Sequence, residues 1–288
     1  MVTHSNGSQA GKKGSLSVVG TGIQVIGQLT DQARAHISNA DILFYLVTDP
    51  VAEHYIKGLN PRGHSLFPLY ATGKERMTTY EEMVETILNG VRGGNCVCAA
   101  FYGHPGVFVY PSHVVIRRAL SEGYEAEMLP AISSEDCLFA DLNVDPGIPG
   151  CQSFEATDFL VFRRRFDERS SLVLWQIGVI GLITWWEEGF NSRSGLEALT
   201  ERLMQTYPTE HTVVVYEAAH LATMKPRRDA IQLRDLASTK VTPISTLYVP
   251  PHGVDEMDTE MLVRLGIDPT TVPRREPVRF ITGDPTPS

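Results

Sequence analysis

Three short turns rich in glycine and proline carry the residues best suited to hold a small molecule. The first, Gly20-Thr21-Gly22-Ile23-Gln24-Val25, has the opening of a dinucleotide-binding fingerprint but lacks its third glycine, because Val25 stands there. The acid that would bind a ribose should close the following strand, whereas Asp41 opens it. Taken alone, this turn reads as a tight bend that needs two glycines. The second, Tyr102-Gly103-His104-Pro105-Gly106-Val107-Phe108, follows an apolar stretch, and its glycines let a bound molecule approach the backbone closely. The third, Leu129-Pro130-Ala131-Ile132-Ser133-Ser134, leads into a helical pattern with hydroxyls placed to cap it. Three such turns after successive strands at one sheet edge describe a small-molecule crevice. His104 has no acidic motif to orient it and is expected to make a backbone or cofactor contact rather than act as a base. No metal set is expected: His104 and His113 are too separated in the expected elements, and Cys96-x-Cys98 lacks a second pair of ligands. Gln176, inside LVLWQIGVIG, is an amide that must find partners if buried.

The elements that must position these turns follow from hydrophobic periodicity. Ser15–Gly20 reads as a strand, Thr30-Asp31 opens a helix to about Ala40, and the nearly continuous apolar run Asp41–Val47 suits an interior strand. Val51–Leu59 reads as helix and Ser65–Tyr70 as an extended run. A Thr78-to-Glu81 capping box is expected to start a helix that ends at Gly93-Gly94. Asn95–Phe101 is a buried strand, Pro111–Ser121 a helix, Tyr124–Leu129 a strand and Ser133–Leu142 a helix. This alternation predicts an α/β domain over residues 15–145 with a mainly parallel sheet. The Pro- and Gly-rich stretch Asp145–Gly150 is the expected boundary. A second α/β unit over 151–251 is expected from strand-like SFEATDFLVF, SLVLWQIGVI, HTVVVYEA and ISTLYVPP and a helix at Leu196–Tyr207. A flexible tail at 1–14 and a C-terminal extension at 252–288, with a short helical pattern at Thr259–Leu265, complete the chain.

Composition narrows the classes. Lys+Arg 25 against Asp+Glu 34 gives a net charge of −9, so no global positive field collects nucleic-acid phosphates. The two long charge-free stretches, Gly93–Ile116 and Ser170–Trp186, are broken by turn residues or too short to span a membrane. The N-terminus lacks the apolar segment of a secretory signal. Cys96, Cys98, Cys137 and Cys151 read as thiols of a reducing, cytoplasmic location.

VVGTGIQVIGQLT, FYGHPGVFV, LPAISSEDCLFADLNVDP, LWQIG and ISTLYVPP resemble, in order over roughly Ser15 to Pro251, the tetrapyrrole-methylase superfamily of S-adenosylmethionine-dependent enzymes. Within it they look most like the borosin peptide-backbone α-N-methyltransferases of the omphalotin type. The resemblance implies two α/β subdomains with the cofactor crevice between them, a homodimer or a heterotetramer with two precursors, and S-adenosylmethionine converted to S-adenosylhomocysteine. Carried over position by position, the cofactor shell would involve Gly20, Gly22, Tyr102, Gly103, Pro105, Gly106, Val107, Ser133, Ser134, Gln176, Tyr216, Ser245 and Thr246. One departure is Ala131, where the family usually has glycine.

The resemblance also implies catalytic roles for Tyr70, Arg76, Tyr80 and Tyr102, because Tyr70-x5-Arg76-x3-Tyr80 matches the family's spacing. An amide nitrogen shares its lone pair with the carbonyl, so it needs a base and an oxyanion partner before it attacks a methyl donor. Tyrosine titrates near about 10, and a guanidinium within about 4 to 6 Å favours its phenolate. Tyr80 is expected to accept the proton, Tyr70 to bond the substrate carbonyl, Arg76 to supply the charge and Tyr102 to place the peptide. The charged, proline-containing VPRREPVRFITGDPTPS at the C-terminus lacks a run rich in Val, Ile and Gly, so a separate precursor acted on in trans is expected. Two other readings remain: a methyltransferase for a porphyrinoid-like small molecule, which should call for more arginines around the crevice, and a non-catalytic ligand-binding module.

Overall fold

A computed structural model describes residues 13–186, 193–253 and 256–272 of the 288-residue chain. Residues 1–12 of the expected N-terminal tail and 273–288 of the expected C-terminal extension lie outside the described residues. The chain divides into two compact units.

In the first unit (residues 13–134 with 183–186 and 219–225) the order is β1 (Ser15–Gly20), α1 (Val25–Gln28), α2 (Asp31–Asn39), β2 (Ile42–Leu46), α3 (Pro50–Leu59), β3 (Gly63–Ser65), α4 (Arg76–Arg92), β4 (Cys96–Phe101), α5 (Tyr110–Ser121) and β5 (Glu125–Met128). The five strands pair in parallel in the order β3-β2-β4-β1-β5. Parallel pairing requires crossover helices, and their apolar sides cover both faces. Side chains alternate accordingly. Leu16, Val18, Phe44, Val97, Ala99 and Phe101 pack with α4 and α5 through Met83, Val84, Ile87, Val114 and Val115. Val19, Leu43, Tyr45, Cys98 and Ala100 pack the other way, against Ala33 and Ile37 of α2 and Ala52 and Ile56 of α3. Each fully buried aliphatic side chain of this kind contributes about 1.5–3 kcal/mol. Helix starts are capped where the sequence allows it. Thr30 accepts from the Ala33 N–H at 3.1 Å, and Asp49 accepts from Val51 and Ala52 with Pro50 in the first turn.

The second unit (residues 135–182, 193–218, 226–253 and 256–272) contains α6 (Ser134–Leu142) except for its first residue, β6 (Cys151–Glu155), α7 (Ala156–Val161), β7 (Ser171–Trp175), α8 (Arg193–Met204), β8 (Thr212–Glu217), β9 (Arg227–Gln232), β10 (Thr246–Val249) and α9 (Thr259–Leu265). Its sheet runs β6-β7-β10-β8-β9, with β6 and β7 parallel and the other pairs antiparallel. Leu172, Leu174, Val213, Val215, Leu247 and Val249 face α7 and α8, while Val173, Trp175, Val214, Tyr216 and Tyr248 face Leu138 and Leu142 of α6. That packing places the division of the chain just before Glu135, whereas the turn chemistry of Asp145–Gly150 suggested a later one.

Several local expectations are corrected. The extended run at Ser65–Tyr70 is instead the end of β3 followed by a 3-10 turn at Phe67–Leu69, in which Tyr70 N–H donates to Phe67 O at 3.0 Å. The Thr78–Glu81 capping box does not form. The helix starts earlier, at Arg76, and Glu81 turns outward to Arg118 and Tyr110. SFEATDFLVF is strand only to Glu155, whose carboxylate accepts from Asp158 N–H and starts α7. SLVLWQIGVI stops being strand at Trp175, because Gln176 is left-handed (φ 58°) and a 3-10 turn follows. The helix expected at Leu196–Tyr207 spans Arg193–Met204. β9, with sequence RRDAIQ, was not expected, because an edge strand this charged lacks the apolar alternation that marks a strand. The four cysteines are free thiols.

A half-buried histidine gives the second unit a pH dependence. His211 Nε2–H donates to Pro250 O at 3.0 Å, and its ring stacks on Tyr207 at 4.9 Å and meets His252 edge-on at 5.5 Å. Burial lowers its pKa below the ordinary 6.5; the bond to Pro250 opposes that and the neighbouring His252 adds to it. The fold therefore prefers the neutral ring. Stability is full above the unfolded value of about 6.5 and is lost as pH falls from there towards the folded value, since the unfolded chain takes up a proton that the fold resists. Urea denaturation between about pH 7.5 and 5.5 is expected to show a shallower decline for His211→Gln, which can keep a donor without titrating. Equal slopes for both proteins would remove His211 as the cause.

Candidate functional site

The three glycine turns converge at the carboxyl edge of the parallel sheet. The register aligns Gly20 of β1 with Phe101 of β4 and Leu46 of β2 with the same Phe101. Beyond that row the backbone keeps pairing. Thr21 N–H donates to Phe101 O at 2.9 Å, Tyr102 N–H to Leu46 O at 2.9 Å, and Gly22 and Gly103 exchange bonds of 3.2 and 3.0 Å. Gly22 and Gly103 both have φ 70°, in the region that glycine enters without a Cβ penalty. Gly20 is required for a different reason, close approach. A Cβ built there would stand 2.2 Å from Gly103 O, 2.5 Å from the Ala131 methyl and 2.7 Å from Pro105 Cδ. Gly103 and Pro105 of the second turn and Ala131 of the third thus meet over the bare Cα of the first. The methyl of Ala131, the departure from the family pattern, occupies part of the space that Gly20 leaves open.

His104 does what its turn suggested: Nδ1 accepts from the Gly106 N–H at 2.9 Å. His113 Nε2–H donates to Gly106 O at 2.9 Å, so both faces of this turn are held by imidazoles. Val107 N–H closes the turn on His104 O at 3.1 Å. Phe108 then takes φ 56°, a left-handed conformation strained for an aromatic residue. Ser133 is buried, and Ser134 is the first residue of α6.

The remaining residues that the resemblance implies lie in the second unit. Tyr216 is fully buried and its hydroxyl donates to Asp141 Oδ2 at 2.7 Å. Ser245 is also fully buried; its hydroxyl donates to Glu217 and its carbonyl accepts from Ile177 N–H at 3.0 Å. Thr246 pairs with Tyr216 across β10 and β8. Gln176 is half-buried and its carbonyl accepts from Val179 N–H at 3.0 Å.

Tyr70, Arg76 and Tyr80 come together at the start of α4. Burial first, and then the charge and hydrogen bond of Tyr80, push the Tyr70 phenol well above the ordinary 10, while Arg76 pulls it down. The two hydroxyls share a hydrogen bond, which either can donate. Arg76 therefore does not make a phenolate of Tyr70, whose burial outweighs it. Tyr80 stacks on Tyr110 with ring centroids 6.0 Å apart. Tyr110 in turn donates to Glu81 at 2.9 Å, and Glu81 is ion-paired with Arg118 at 2.7 Å. Tyr102, on the glycine-turn edge, is half-buried.

Sequence reasoning missed the groups that hold Tyr70. Lys74 bonds Leu69 O at 2.9 Å and pairs with Glu82, which pins the loop to α4. Residues 183–186 return from far along the chain and pair with residues 73–76: Gly73 N–H to Trp185 O at 2.9 Å, Trp185 N–H to Lys74 O at 3.0 Å and Arg76 N–H to Ile183 O at 3.0 Å. The available signal was Trp185 itself, an aromatic at the end of a charge-free stretch with no helix or strand period to account for it. Among the described residues no group of three or more His, Cys, Asp or Glu could hold a metal, and no helix is long and apolar enough to cross a membrane.

A family model described as tetrapyrrole (corrin/porphyrin) methylases matches residues 15–230, and the chain belongs to that family. Its relatives are more particular. It is 46% identical over 256 residues to the methyltransferase/ribosomally synthesized cyclic peptide gymnopeptides precursor of Gymnopus fusipes, covering 88% of this chain and 61% of the relative. It is 44% identical to the omphalotin A precursor of Omphalotus olearius, covering 90% and 63%, and 43% identical to a type I borosin cyclic peptide precursor of Coprinopsis marcescibilis, covering 84% and 63%. The chain thus spans about three fifths of the length of these curated relatives. Among solved structures, uroporphyrin-III C-methyltransferase from Thermus thermophilus complexed with S-adenyl homocysteine shares the fold, with a TM-score of 0.55 at 19% identity, covering 82% of this chain and 97% of that one.

The crowding at Gly20 has a measurable consequence. Gly20→Ala is expected to destabilise the protein by about 1–3 kcal/mol, as overpacking of a closed contact does. Adding Ala131→Gly should recover only part, because Gly103 O and Pro105 Cδ remain in the way. Urea midpoints of the three proteins read this directly, and full recovery in the double variant would show that the Ala131 methyl alone sets the contact.

Proposed function

We propose that this chain transfers methyl groups from S-adenosylmethionine to backbone amide nitrogens of a peptide. The observation that carries the reading is the meeting of Tyr70, Arg76 and Tyr80 at the start of α4, with burial keeping Tyr70 protonated. The relatives' names, which couple a methyltransferase to a cyclic-peptide precursor, support it. Following the resemblance, Gly22, Gly103, Pro105, Gly106 and Val107 would hold the cofactor, and Gly20 would serve it by letting the three turns meet, since the space beside its own Cα is taken by Gly103 O, Ala131 and Pro105. When bound, S-adenosylmethionine supplies an electrophilic methyl group. The chain's own residues do the rest. Tyr70 keeps its proton and donates to the amide oxygen, which draws density from the carbonyl and frees the nitrogen lone pair. Tyr80, its own hydroxyl proton first given up to solvent, takes the amide proton, and Arg76 balances the negative charge that the two oxygens carry. Tyr102 positions the peptide. Burial around Tyr70 keeps water from competing for the oxygen.

The acceptor is proposed to be a separate precursor peptide acted on in trans. The relatives name methyltransferase and precursor as one product, so this arrangement is the one most in need of measurement.

Calorimetry with S-adenosylmethionine and S-adenosylhomocysteine should show binding, and intact-mass spectrometry of an added precursor peptide should show steps of about 14 Da on that peptide alone. Methyl groups on the enzyme's own chain would overturn action in trans while leaving the chemistry standing. Tyr80→Phe is expected to slow methylation by about 100-fold or more, and Arg76→Lys by about 10-fold or more, with cofactor affinity within about twofold of wild type. Near-normal turnover in both variants would remove this set from the mechanism.

A further inference from the structure

We propose that Trp185 is the positioning residue for Tyr70: the returning segment Ile183–Trp186 is a strap whose indole covers the phenol and fixes it in place. This rests on the methyltransferase reading only for its kinetic consequence. The geometry comes first. Three backbone hydrogen bonds, of 2.9 to 3.0 Å, tie residues 183–186 to residues 73–76, so the strap is seated by main chain and not by side-chain packing alone. The same bonds fix the backbone of Arg76, the first residue of α4. Trp185 then lies with its ring centroid 5.5 Å from that of Tyr70 and 6.2 Å from that of Phe67, while Phe67 and Tyr70 are 5.8 Å apart. The three rings form a closed triangle with tilted and edge-on contacts, the arrangement that aromatic quadrupoles favour.

The neighbours on the strap differ. Ile183 is 73% exposed and Trp186 46% exposed, whereas Trp185 is half-buried against Tyr70. On the other side of the loop, Lys74 anchors the chain to Leu69 O and Glu82, so the backbone of the Tyr70 loop is held independently of the indole. The strap therefore contributes something the salt bridge cannot, the exclusion of water from the phenol. Burial is the largest influence that keeps Tyr70 protonated, against the pull of Arg76. A phenol that stays neutral can donate a hydrogen bond; one that ionises cannot. By covering Tyr70, Trp185 keeps a donor beside a guanidinium that would otherwise draw out its proton.

The test separates this role from general stability. In protein carrying ring-labelled tyrosine, with the Tyr70 resonance assigned from Tyr70→Phe, wild-type Tyr70 is expected to stay protonated well above the ordinary tyrosine value of about 10. In Trp185→Ala it should titrate at lower pH. Trp185→Phe should restore most of the protection, and Trp186→Ala, on the same strap but with its ring exposed, should behave as wild type. Under methyl-transfer conditions Trp185→Ala should lower kcat by about 10-fold with KM within about twofold. Should Trp185→Ala fail to fold, Trp185→Leu offers an apolar cover of smaller area and an intermediate shift is expected. An unshifted Tyr70 in Trp185→Ala, or an equal shift in Trp186→Ala, would overturn the proposal. The titration needs no substrate, so absence of methyl transfer in wild type would end the methyltransferase reading and leave the positioning role to be judged on the resonance alone.

Discussion

Two parallel strands, β1 and β4, lie side by side and end on the same register row, and the next residues of each chain must then part without leaving backbone groups unpaired. The exchange of hydrogen bonds between Gly22 and Gly103 solves this, because both residues adopt left-handed backbone that a side chain would disfavour. Once that knot is tied, the position of Gly20 follows, and with it the approach of Pro105 and Ala131. The turn after β4 is stiffened further by His104 and His113, each bonded to Gly106. The edge that results is made of main chain, which explains why so few charged side chains are needed to shape it.

The tyrosine set depends on a second kind of order, built from side chains on α4. Tyr80 leans on Tyr110, whose hydroxyl is committed to Glu81 and, through it, to Arg118. Arg118 also pairs with Glu85, and Glu85 with Arg92, so a ladder of ion pairs runs along α4 and α5. These pairs are partly exposed and individually worth little. The rotation of α4 is fixed by its buried face, Thr79, Met83, Val84, Ile87, Leu88 and Val91, and the ion pairs run along its exposed side.

Much of this was legible in the residue pattern. The apolar run of Cys96–Phe101 and the alternation around it mark a buried parallel strand, and the meeting of the turns after β1, β4 and β5 at one sheet edge follows from that alternation. What escaped was decided by partners distant in sequence. Thr78 and Glu81 have the spacing of a capping box, but the start of α4 is claimed by Ile183 O, and Glu81 finds Arg118 instead. Asp145–Gly150 has the composition of a linker, but Leu138 and Leu142 bury themselves with Val173 and Tyr216 and carry α6 into the second unit. That burial keeps Tyr70 protonated could not be read from its own segment, because its cover, Trp185, lies elsewhere in the chain. β9 was invisible for the opposite reason: as a charged edge strand it has polar residues where a strand pattern would show apolar ones.

The return of residues 183–186 to the first unit also bears on how the molecule is made. A ribosome releases the whole parallel sheet before it releases the segment that pairs with Gly73 and Arg76. The nascent sheet can collapse around its valines while Tyr70 still stands in water. The tyrosine set is thus completed late, in the order of translation rather than of assembly around a core. A fragment ending at Ser134 would hold every strand of the first sheet and still lack the cover over its tyrosine. The polypeptide carries a built-in delay between having a fold and having a finished site.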